Sequence, residues 1–66
     1  MKLLEEIENI KSQDLSLSEL ANRIENAMND IQYEYSRVTL DQDKLAVHNT
    51  NKIAYEIVLV NRLQAI

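Results

Sequence analysis

The side chains of this sequence that could do chemistry are few, and their spacing does not bring them together. There is one histidine, His48, and no cysteine. A zinc site takes three or four protein ligands at close helix or loop spacing. His48 has only Asn51 at i+3, a poor ligand for a transition metal. Asp41 and Asp43 resemble the opening of a calcium loop. That loop needs a glycine at its sixth position and a glutamate at its twelfth, and both are missing. The chain has no glycine at all, so no phosphate-cradling loop can form. No serine or threonine has a histidine placed to activate it. Two carboxylates sharing acid–base work need a cleft that separates their pKa values, and 66 residues leave little room for one. The expectation is a non-enzymatic protein without metal or cofactor.

The polar residues do carry signals for helix ends. Ser16 and Glu19 form an S-x-x-E capping box, in which the serine oxygen accepts from a backbone N–H and the glutamate reaches back. Leu15 before the cap and Leu20 at the fourth helical position have the spacing of a hydrophobic staple. A second helix therefore starts near residue 17. It continues to about residue 37 on a regular stripe: Leu17, Ala21, Ile24, Met28, Ile31, Tyr35 and Val38, with Leu20 and Ala27 widening it. Such a stripe is either an intramolecular core or the seam of an oligomer. Ahead of it, Leu3, Leu4, Ile7 and Ile10 share a face of a short amphipathic helix over about residues 2–12. It is too short to persist alone in water.

The last stretch, TLDQDKLAVHNTNKIAYEIVLVNRLQAI, supports two readings. As a helix it is capped by Thr39, with Gln42 completing T-x-x-Q and Asp41 and Asp43 in the first turn. As strands, KLAVH and KIAYEIVLV pair through NTN, a reading that the β-branched residues favour. The helix is preferred, with HNTN as its weak point because asparagine and threonine are poor helix formers. The expected fold is all-α: a single small domain over residues 1–66. In it a helical hairpin forms between the second and third helices, a short N-terminal helix folds onto its open end, and copies associate. The alternative is α+β with a C-terminal β-hairpin.

Composition points towards association. A chain this short hides only about 60% of the surface of its unfolded form. Small domains usually make up the deficit with disulfides, a metal or a second copy, and there is no cysteine to make a disulfide. In IVLV, Val58 and Leu59 cannot share a helix face with Ile53, Ile57 and Val60. A helix that is apolar all round has to be surrounded, and three short helices do not surround one. We therefore expect an interface drawn from Leu17, Ile24, Met28, Ile31, Tyr33, Tyr35, Ile57, Val58, Leu59, Val60 and Leu63. Exposed tyrosines suit interfaces because they combine area with a polar tip.

Charge narrows the partners. Residues 1–36 carry a net −5 and residues 37–66 a net +1, so the acidic half disfavours nucleic acid. The stretch LSLSELANRI resembles the first helix of a helix-turn-helix. The glycine turn and basic recognition helix of that motif are missing. No run of 18 apolar residues is present, and MKLLEEIENI lacks the pattern of a signal peptide. The chain is thus expected in the cytoplasm, as a homodimer or higher oligomer that binds a protein target and acts as an inhibitor, adaptor or regulator. A virus or mobile element is a plausible source of such a protein. Other classes are a purely structural oligomerisation module, a nucleic-acid regulator acting as a dimer, and an acidic decoy of nucleic acid built on Glu5, Glu6, Glu8, Asp14, Glu19 and Glu25.

Overall fold

The computed structural model describes residues 2–65 and contains three helices among them: α1 (Lys2–Ser12), α2 (Leu17–Ser36) and α3 (Gln42–Gln64). No strand occurs among the described residues, so the β-hairpin alternative falls. The helical pattern over residues 42–64 outweighs local β propensity, and HNTN stays within one unbroken helix. Thr50 shows how: its hydroxyl donates to the Ala46 carbonyl at 2.9 Å, so the side chain bonds within the helix instead of competing with it.

Both helix starts carry side-chain caps. Ser16 Oγ accepts from the Glu19 N–H at 3.1 Å, and Glu19 Oε1 accepts from the Ser16 N–H at 3.4 Å. The capping box therefore forms as expected. The third helix differs. Its N-cap is Asp41, not Thr39, and Asp41 Oδ1 accepts from the N–H groups of Asp43 and Lys44 at 3.1 Å. An aspartate caps at least as well as threonine and adds a negative charge at the positive end of the helix dipole.

The connector between α1 and α2 turns without glycine. Asp14 takes φ 51°, in the left-handed region, and its N–H donates to the Lys11 carbonyl at 3.2 Å. Aspartate tolerates this conformation better than most residues with a Cβ.

The core sits at one end. Ile7 and Ile10 of α1, Leu15 of the connector, Leu20 of α2 and Ala54 and Val58 of α3 form one buried cluster. Arg62 Nη2 lies 3.4 Å from Asp14 Oδ1 beside this apex, and His48 lies near Asp30 further along, so α2 runs antiparallel to α3. α1 runs alongside α3, with Lys2 and Glu5 near Val47 and Ile7 and Ile10 near Val58. α3 packs against both other helices, whereas the backbones of α1 and α2 do not approach each other. α1 thus folds onto the open end of the hairpin as expected, where Ile7 and Ile10 meet Leu20, Ala54 and Val58, and it continues from there along α3.

The result is open for its size. The radius of gyration is 12.7 Å, against about 11 Å for a compact chain of this length. The accessible surface is 4884 Å², where about 4,300 Å² is ordinary for this mass.

A candidate interaction surface

At 3.6 residues per turn, α3 has three sides. One faces α2, through residues such as Tyr55 and Leu59. A second faces α1 and the connector, through Ala54 and Val58. The third carries no helix. A shallow groove there is lined by Ile53, Glu56, Ile57, Val60, Asn61 and Gln64, all from α3 itself. Ile53 is 45% exposed, Val60 49% and Leu63 54%. These are large fractions for aliphatic side chains within a helix of so small a protein.

The neighbouring helices extend this bare side. Asp30, Tyr33 and Glu34 of α2 share a groove with Val47 and Asp43 of α3, and the same two α3 residues share a groove with Lys2, Glu5 and Glu6 of α1. Asp43 and Val47 therefore look out between α1 and α2. Leu17, Met28 and Tyr35 lie half a helical turn from Asp30 and Tyr33, on the opposite edge of α2, and all three are exposed. Leu4 lies half a turn from Glu6 on α1 and is exposed as well. Of the eleven large hydrophobic residues exposed among those described, seven fall on this one side of the molecule. The opposite side carries Glu5, Glu6, Asp30, Glu34 and Asp43 around Val47 and Tyr33.

The charges that α3 sets on the bare side cancel. Lys52 Nζ and Glu56 Oε1 are 3.2 Å apart, one turn along α3. On the other side, Glu34 is buried, and Arg37 Nη1 donates to its two oxygens at 3.2 and 3.5 Å. His48 Nδ1 lies 3.9 Å from Asp30 Oδ2. Among the described residues, no group of three or more side chains is arranged to hold a metal ion.

Several expected interface residues lie on the bare side. Leu17, Met28, Tyr35, Val60 and Leu63 are exposed there, and Ile24 and Ile31 are half-buried along its border with α3. Val58 is a correction. It is 3% exposed and belongs to the core, so it offers nothing to a partner. Its own neighbours Ile57 and Leu59 pack partly on that core. Tyr33 is exposed, but on the acidic side.

The stripe of α2 divides accordingly. The row it turns to α3 is Leu20, Ala27 and Glu34, one position round from the stripe, with Ile24 and Ile31 at the margin. Glu34 hid this row, because a carboxylate breaks an apolar pattern. Ile53 and Leu4 were missed as surface residues. The seven-residue spacing of Ala46, Ile53 and Val60 was the available signal for the first. No helix among the described residues is long and apolar enough to cross a membrane. Comparison with protein-family models, curated proteins and solved structures finds no match to this chain.

Proposed function

We propose that this chain is a non-catalytic interaction module that binds another polypeptide and thereby inhibits, adapts or regulates it. The observation that carries the reading is the bare side of α3, with its flanking rows on α2 and α1. Contiguous apolar surface of this kind is uncommon on monomers and marks sites of association. Binding would proceed by removing that surface from water, each fully buried aliphatic side chain contributing about 1.5–3 kcal/mol before ordering costs.

Nucleic acid is the less favoured partner. Of the four basic residues in the C-terminal half, Arg37, Lys52 and Arg62 each sit within an ion pair, which draws them away from phosphate.

Photo-crosslinking in the cells that make the protein tests the reading. A photoreactive amino acid at position 60 or 35 should give polypeptide adducts, and one at position 22 should not. Adducts only to its own copies would narrow the role to an oligomerisation module. Adducts to nucleic acid, or to nothing, would count against the proposal.

A further inference from the structure

We infer that the chain covering the bare side of α3 is a second copy of this protein, packed face to face about a two-fold axis near the middle of that helix. The inference rests on the interaction reading above and names the partner for that surface. Three observations favour a copy over a different protein.

The first is charge. The chain carries a net −4, so most ways of pairing two copies bring like charges together. On the bare side the only ions facing outwards from α3 are Lys52 and Glu56, which neutralise each other at 3.2 Å. Along α3 an approaching copy meets no net charge, and the grooves that hold Glu6, Asp30 and Asp43 on both molecules point away from the contact. Approach from the other side would set Glu5, Glu6, Asp30 and Asp43, offset only in part by Lys2 and Lys44, against themselves.

The second is pattern. Ala46, Ile53 and Val60 recur every seven residues, the spacing at which one helix can lie along another with side chains interdigitating. With a two-fold axis at Ile53, that residue meets its own copy and Ala46 of one chain meets Val60 of the other, so the contact satisfies itself, as an isologous interface must.

The third is area. α3 is 23 residues long, about 34 Å. A strip of that length covering α3 and the adjoining edge of α2 is about 20 Å wide at ordinary helix spacing. It amounts to ~700 Å² per copy, close to the ~800 Å² that each partner contributes to a standard interface. The excess accessible surface of the single chain has the same origin.

Sedimentation equilibrium of the purified full chain tests this. The expected mass is twice 7.7 kDa. Val60→Glu should raise the dissociation constant by about a hundredfold or more, because two carboxylates would enter an apolar contact. Its helix content by circular dichroism should be unchanged, since Val60 is half exposed. Val47→Glu, on the acidic side, should leave the dimer intact. The natural chain has no cysteine, so one introduced thiol reports position cleanly. A short bis-maleimide should join Ile53→Cys, which lies on the axis, into a covalent dimer and leave Tyr33→Cys monomeric. A chain that stays monomeric at every concentration, yet crosslinks in cells from position 60 to a different polypeptide, overturns the second copy and leaves the interaction reading standing. A dimer that survives Val60→Glu and crosslinks through Tyr33→Cys overturns the assignment of the face.

Discussion

The two ends of α3 are held in different ways. Towards its C-terminus, Ala54 and Val58 meet aliphatic side chains from α1, the connector and α2 together, and Ile10 and Leu20 there are the largest fully buried side chains. Towards its N-terminus, α3 has mainly Ala27, Ile31 and the buried Glu34 of α2 for company, and Val47 is 54% exposed. One end is an oily junction of three segments, and the other is a single helix contact finished by an ion pair. The difference shows where a glycine-free, cysteine-free chain of 66 residues concentrates its stability. It follows that the end of the hairpin beside the 37–41 connection depends on the apex for most of its stability.

The sharpest way to break this comparison is to truncate one large side chain at each end. Leu20→Ala should cost about 3 kcal/mol, the usual value for a buried leucine in a site that cannot collapse. For a domain whose total stability is ~3–10 kcal/mol, that is enough to leave much of it unfolded. Ile31→Ala at the other end should cost about 1 kcal/mol, since the side chain is only half-buried. Urea unfolding at one fixed protein concentration compares them. Equal losses would mean that the two ends contribute alike. Hydrogen exchange sharpens the same point: amides around Ile10, Leu20 and Ala54 should exchange last, and those of α2 after Ile31 earlier.

The connected end has its own weak point in Glu34. A buried carboxylate is tolerable only while paired, and Arg37 supplies the partner at 3.2 Å. Arg37 is itself 38% exposed on its side chain, so water reaches the pair and moderates the loss. Arg37→Ala should cost about 1–2 kcal/mol, more than removal of the surface pair between Lys52 and Glu56. Should Glu34→Leu with Arg37→Ala together match or exceed the natural chain in stability, the pair is there for helix register and not for stability.

Helices proved easier to read from the sequence than their faces. The first two follow directly from residue types: Leu3, Ile7 and Ile10 on one face, and a serine and glutamate three apart at the start of the second. α3 was readable as a helix because the apolar face of Leu45, Ala46, Ile53, Ala54, Ile57, Val60 and Leu63 outweighs HNTN. Its cap was misplaced by two residues, since T-x-x-Q and the aspartate within it compete for the same turn. The core was harder. Periodicity shows that a stripe exists but not which of two adjacent rows turns inward, and on α2 the inward row contains a glutamate. Val58 looked surplus because IVLV is apolar all round. It is core because Ile7 and Ile10 of α1 close over it beside Leu20 at the open end of the hairpin, a long-range contact that local spacing cannot carry.

Capping offers a smaller test on the apex side. Ser16→Ala removes the acceptor for the Glu19 N–H and one half of a reciprocal pair, and should cost about 1 kcal/mol. A larger loss would mean that the cap also fixes Leu15 in the core, coupling the connector to the apex.

The smallest expected effect is a gain, and it concerns the same connector. Asp14 holds φ at 51° with a Cβ in place, where glycine would carry no steric penalty. Against this, Asp14→Gly loses the contact with Arg62 at 3.4 Å and gives the unfolded chain more freedom. The ion pair weighs little, because Asp14 is 97% exposed on its side chain and salt screens it. The two backbone terms oppose each other, so the net change should be a stabilisation of about 0.5 kcal/mol at moderate salt. Thermal unfolding of the variant beside Asp14→Ala, which keeps the Cβ and loses the ion pair, separates the contributions. If glycine stabilises and alanine destabilises, the strain in the turn is real and the oily junction tolerates it. If both destabilise equally, the contact with Arg62 is what closes the apex, and the contrast between an aliphatic end and an ionic end of α3 no longer holds.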